Sequence, residues 1–232
     1  MQPQRSETKV QTKTYDAGLA AYLQSIYNRM TAGVFITALT AWIVSSSPAL
    51  MGLFLGGPQA YIVMFAPLAV LWFGFNPSTM DSGKLKISFG LISVLYGISF
   101  AVIFMVFTGE SIAKAFFLAT GMFAGLSIFG YTTKKNLDGL GNFAVMGIIG
   151  VLLMTVVNLF LKEPMLFDLI SGIGIIAFSA LTAWQTQGMK ETYNENIPAE
   201  ALSRMSWMAA LNLYIAFIAL FQYILHFVGG RE

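Results

Sequence analysis

Polar side chains within or just beyond the long apolar stretches of this chain include Thr155, Asn158, Gln185, Gln187, Asn212 and Gln222. The phenols Tyr96 and Tyr214 accompany them. Amides and hydroxyls in such surroundings have two uses. They tie helices together, at about 0.6 kcal/mol each, or they offer oxygens to a partly hydrated cation along a polar path. Asn158, Gln187, Asn212 and Tyr214 are the candidates for either role, with tying as the default. No carboxylate lies well inside an apolar stretch, because Glu110 and Asp168 fall at edges and Asp81, Asp138, Glu163 and Glu191 in connectors. Proton-coupled pumps and cation exchangers keep such a group at membrane depth, so energised cation transport is not expected.

Catalysis finds no constellation here. Cysteine is absent, which removes thiolate nucleophiles, disulfides and thiolate metal sites. The single histidine, His226, stands near the end of the last apolar stretch, and its expected role is an interfacial polar tip rather than a base. Ser127 and the Ser171-Gly172 pair lack a base to activate them. We therefore expect a non-enzyme with no cofactor and no metal centre.

The elements that must position these groups are membrane helices. The chain is 56% hydrophobic and 10% charged, against roughly 25% charged in soluble domains. A helix needs about 20 apolar residues to cross the hydrocarbon core, and seven stretches approach that length. They run at about Tyr27–Val44, Ala60–Phe75 (or from near Leu50), Ile87–Phe107, Ile112–Tyr131, Phe143–Leu161, Leu166–Trp184 and Trp207–Val228. The last contains Asn212 and Gln222, so a re-entrant helix is its alternative. Residues 1–25 read as a polar cytoplasmic tail without a cleavable signal, and residues 26–230 as one membrane domain.

Lysine and arginine placement orients the bundle. With the amino terminus inside, Arg5, Lys9, Lys13, Arg29, Lys84, Lys86, Lys134, Lys135, Lys190 and Arg204 share one side, and Lys114, Lys162 and Arg231 the other, ten against three. The net charge of +2 is too small and scattered for nucleic-acid binding. Trp42, Trp72, Trp184 and Trp207 lie toward span ends, as interfacial anchors do. Arg29, at the mouth of the first span, is expected to snorkel to the interface or to pair with a carboxylate. The charges between Gln187 and Ser206 could latch that mouth to Arg29 or Lys134. Small residues four apart permit close helix approach, and the fourth span offers Ala115/Ala119 and Gly121/Gly125 as a helix–helix seam. Gly172 and Gly174 offer a close contact or a bend in the sixth.

Three segments together resemble the Bax inhibitor-1 (transmembrane Bax inhibitor motif) family. They are Ile26-Tyr27-Asn28-Arg29-Met30-Thr31-Ala32-Gly33, the segment Gly130-Tyr131-Thr132-Thr133-Lys134-Lys135-Asn136-Leu137-Asp138-Gly139-Leu140-Gly141, and Ala210-Leu211-Asn212-Leu213-Tyr214-Ile215-Ala216-Phe217-Ile218. The resemblance covers essentially the whole chain. It implies an all-α seven-span bundle around a central last helix. It also implies links to passive, pH-sensitive calcium leak, to suppression of cell death in eukaryotes, and to protease-associated membrane quality control in bacteria. Leak-type members carry two facing aspartates, and two close carboxylates hold one proton tightly enough to sense pH while closing a cation path.

This chain departs from the family at both aspartates. It reads Trp184-Gln185-Thr186-Gln187 where the family commonly has Tyr-Asp-Thr-Gln, and Leu213-Tyr214-Ile215-Ala216-Phe217 where it has Leu-Tyr-Leu-Asp-Phe. Gln185 and Ala216 thus occupy the dyad positions, and neither titrates. Two functions compete: a passive leak without the pH sensor, weak for calcium because calcium prefers six to eight oxygens including carboxylates, or a non-catalytic regulator of a membrane protease or other membrane complex, met through the amino-terminal tail. The short tails and the lack of an Arg-rich leader point to a bacterial inner membrane.

Overall fold

A computed structural model describes the backbone of residues 4–229 and the side chains of residues 17–229. Among the described residues every regular element is helical. The helices are α1 (Gln4–Ser45), α2 (Pro48–Leu55), α3 (Gln59–Phe73), α4 (Ser82–Phe100), α5 (Ile103–Val106), α6 (Gly109–Thr132), α7 (Asp138–Leu161), α8 (Pro164–Thr192) and α9 (Ala199–Val228). Five segments are long and apolar enough to cross a membrane: α4 with α5, α6, α7, α8 and α9. The bent pair α1–α2 makes six, and α3 is a shorter apolar helix. A count of seven therefore depends on α3.

α9 is the axis. Leu213, Tyr214, Ala216 and Leu220 on it have no exposed surface, and α1, α4, α6 and α8 all pack against it. Asn212 and Gln222 do not interrupt it, because a helix satisfies its own backbone and leaves amide side chains free to face neighbours. It is the most deeply buried of the spans.

α1 starts well before the first apolar stretch. Leu19, Tyr22, Leu23, Ile26 and Met30 are all buried, a stripe at helical spacing within a polar composition. Tyr22 packs on Tyr193, ring centroids 5.5 Å apart. The packed bundle thus includes residues assigned above to a polar tail, whose side chains before Ala17 lie outside the described residues.

Breaks in the helices are chemically covered. Ser47 accepts the Leu50 N–H to cap α2, which is bent 106° from the Ala17–Ser45 part of α1. Pro67 inside α3 cannot donate to the Val63 carbonyl four residues back. Ser99 of α4 donates to that oxygen instead, at 3.0 Å. Thr108 accepts the Ser111 N–H at the start of α6.

The seam of α6 is Ala115, Ala119, Phe123, Ser127 and Gly130, all buried. Ala115/Ala119 pack as expected, but Gly121 and Gly125 face open space and are corrected as seam residues. They stand six residues from Ala115 and Ala119, which on a helix is the other side. Of the α8 glycines, Gly174 lies close under the Tyr223 ring and Gly172 has open space.

Candidate functional site

At the lysine-rich end, Tyr22 of α1, Pro77 and Ser78 before α4, and residues of α8 and α9 line an open vestibule of about 600 Å³. Gln185 and Asn212 line it together, with Trp184 and Ser78 beside them. Among the described residues, Arg204 is the only formally charged one lining it. The Gln185 Oε1 and Arg204 Nε atoms are buried there without hydrogen-bond partners, while the Arg204 guanidinium donates to the Pro77 carbonyl at 3.3 Å. Ala216, one turn above Asn212, is fully buried and does not line the vestibule. Neither dyad position carries a titratable group.

The other candidates serve separate joints. Gln187 accepts the Leu137 N–H at 2.8 Å and donates to the Lys135 carbonyl at 2.9 Å. Its amide fastens α8 to the connector between α6 and α7. Trp184 lies over Gly141 and donates its indole N–H to Asp138 at 3.1 Å. Two of the four tryptophans are thus tied into joints, since Trp207 lies under Arg29.

Tyr214 forms a polar knot at the bundle centre. Its hydroxyl and that of Thr37 lie 2.7 Å apart, and Thr37 donates to the Ser93 carbonyl at 2.9 Å. Phe89 and Tyr96 meet the Tyr214 ring edge-on. Polar groups of Thr37 on α1, Ser93 on α4 and Tyr214 on α9 meet here, which satisfies groups that lipid could not.

Among the described residues Arg29 meets no carboxylate. It donates to the Ser203 carbonyl at 3.0 Å and to the Ser206 hydroxyl, and its guanidinium lies 4.2 Å from the Trp207 ring centroid. Arg29 is thus held to α9 by serines and an aromatic face rather than by the connector's charges. Asn158 is at the opposite end, in the last turn of α7. Its Oδ1 accepts the Glu163 N–H at 2.9 Å, closing the turn at Lys162, whose φ is 54°.

Thr37 and Ser93 were not singled out in the sequence, and Arg204 appeared there only as one of the connector charges. Arg204 reads as a connector cation until α9 is seen to begin at Ala199. Thr37 and Ser93 are small hydroxyls of a kind that normally bond back to their own helix.

The architecture defines the class: an all-helical, multi-pass membrane protein wrapped around a buried last helix, with a polar vestibule at one end. The family model described as "Inhibitor of apoptosis-promoting Bax1" matches residues 19–232, and the chain belongs to this family. It is 37% identical to the inner membrane protein YbhL of Escherichia coli, over 98% of each chain. It is 39% identical to an uncharacterized protein of Caulobacter vibrioides, over 94% of this chain and 91% of that one. Protein RP147 of Rickettsia prowazekii, also uncharacterized, is 36% identical over 97% and 96%. The chain is a multi-pass protein of the inner membrane.

Proposed function

We propose that this protein is a passive ion leak of the Bax inhibitor-1 type from which the proton sensor has been removed. The observation that carries this reading is Gln185, an amide with an unpaired oxygen in the vestibule, at the place where leak-type members carry a titrating aspartate. An amide offers an oxygen to a hydrated ion at every pH, so flux has no proton gate. Without a carboxylate the vestibule is a poor calcium site, and flux is small and weakly selective.

The test is ion flux into liposomes holding the purified protein, between about pH 6 and 8, where a raised carboxylate pair titrates. The wild type should leak equally across this range, and the Gln185→Asp/Ala216→Asp double variant should acquire a pH dependence. A wild type that already gates with pH would place the sensor elsewhere and overturn the reading.

A second reading rests on the sealed core. Above the vestibule, Leu213, Tyr214, Ala216 and Leu220 leave no exposed surface, which suits a non-catalytic regulator of a membrane protease or another membrane complex. A stable co-purifying membrane partner, with no flux in any variant, would select it.

A further inference from the structure

α1 and α6 both pack on α9, and between them they leave a groove. Its first part, about 600 Å³, is lined by Met30, Phe116, Phe123, Ser127, Thr186 and Phe217 among others. It continues past Val34, Phe116 and Phe217, shared by both parts, into a second apolar space of about 330 Å³ toward the far end of the bundle.

The groove is graded in polarity. Lys190 stands at its mouth, its ammonium 5.2 Å from the ring centroid of Tyr131, a lining residue, and donating to the Tyr131 carbonyl. Four residues further along each helix come Thr186 on α8 and Ser127 on α6. Residues four apart share a face, and that step is about 6 Å along the axis. Ser127 is 7% exposed and Thr186 1%, and neither hydroxyl has a hydrogen-bond partner. One turn beyond Ser127, Phe123 begins the apolar part.

We propose that this groove binds one anionic glycerophospholipid of the leaflet at the lysine-rich end. Its phosphate meets Lys190, its ester carbonyl accepts from Ser127 and Thr186, and one acyl chain lies along Phe123, Phe217 and Phe116. The order cation, hydroxyls, aromatic channel is the order phosphate, ester, hydrocarbon in the lipid. Lys134 and Lys135, both exposed on the adjoining connector, favour an anionic headgroup, since basic residues near the membrane surface attract such lipids. A transmembrane helix suits the groove less well. Close helix approach relies on small residues, whereas Phe116, Phe123 and Phe217 make the groove a slot suited to a chain.

The test uses the full-length protein reconstituted in bilayers of equal phosphatidylglycerol and phosphatidylcholine, then released for native mass spectrometry. One phosphatidylglycerol should stay bound. Ser127→Ala/Thr186→Val should weaken its retention by roughly tenfold, as loss of a buried hydrogen bond implies. Lys190→Gln should keep a lipid but lose roughly fivefold of the preference for the anionic one, and Lys190→Arg should restore it. Unfolding temperatures of the variants in detergent separate lost binding from lost fold. A wild type without retained lipid, retention unaffected by the hydroxyl pair in folded protein, or a second copy of the chain in place of lipid would each overturn the proposal. These readouts do not involve ion flux, so the lipid site and the leak stand or fall separately.

Discussion

The side-chain oxygen of Gln187 accepts the backbone N–H of Leu137 across 2.8 Å, joining residues fifty positions apart, and both residues are buried. The same amide donates to the Lys135 carbonyl. In a membrane bundle a connector without such a partner would leave its backbone unsatisfied. Gln187→Leu should therefore cost about 2 kcal/mol, the penalty for stranding buried polar groups. Gln187→Glu, which keeps an acceptor but loses the donor, should fall between. Thermal unfolding in detergent measures both, and a Gln187→Leu protein as stable as wild type would show that the joint is idle.

Glycine contacts separate two faces of α6. A methyl group at Gly130 would overlap the Ala183 carbonyl of α8, which is backbone and cannot step aside, whereas Gly121 and Gly125 meet nothing within 4 Å. Gly130→Ala should destabilise by about 1–3 kcal/mol, as overpacking does. Gly121→Ala should be neutral or gain up to about 1 kcal/mol from helix propensity. Equal unfolding temperatures for the two variants would contradict this assignment of faces.

The Tyr214 knot predicts a graded series. Tyr214→Phe removes the hydroxyl from Thr37, but Thr37 keeps its bond to the Ser93 carbonyl, so the loss should be about 1 kcal/mol. Tyr214→Ala opens a cavity at the most enclosed point of α9 and should cost about 3–5 kcal/mol. If removing the hydroxyl and removing the whole ring cost the same, the ring's aromatic neighbours contribute nothing.

Asp81 gives a pH dependence of defined sign. Its carboxylate accepts the Lys84 backbone N–H at 2.8 Å, and that bond, with the Lys84 charge, holds its pKa below the ordinary 3.8. The folded value is lower than the unfolded one, so the stabilisation is present above the unfolded pKa and is lost as pH falls through the folded one. Compared with Asp81→Asn, the wild type should keep a constant advantage above about pH 5 and lose it at lower pH. A pH-independent difference between the two would remove this carboxylate from the acid response.

The apolar stretches made the helical bundle legible, because they depend on composition over a long window. What composition could not convey was where helices extend into polar sequence. Leu19, Tyr22 and Leu23 belong to α1's buried stripe, yet Gln24 and Ser25 make the segment read as a tail. Ser203, Arg204 and Ser206 likewise conceal the first turns of α9, and with them the partners of Arg29. The capping role of Asn158 was hidden because nothing in the sequence marks Lys162, a non-glycine residue, as the left-handed stop. The replaced positions Gln185 and Ala216 were visible from the motifs. That Asn212 shares a vestibule with Gln185 while Ala216 is sealed away depends on how α9 is rotated in the bundle, which spacing on one helix does not fix.

The brevity of α3 has a mechanical consequence. Its 15 residues reach about 22 Å along the axis, some 8 Å short of a typical hydrocarbon core. Tyr61 near one end and Trp72 and Phe73 at the other are largely exposed, so aromatic rings mark both limits of this short wall. As a span, α3 would require the bilayer beside it to thin, and each ångström of mismatch carries an elastic cost of a fraction of a kcal/mol. Shorter-chained lipids would relieve that cost and longer-chained ones increase it, so membrane thickness would act on this protein through one flank.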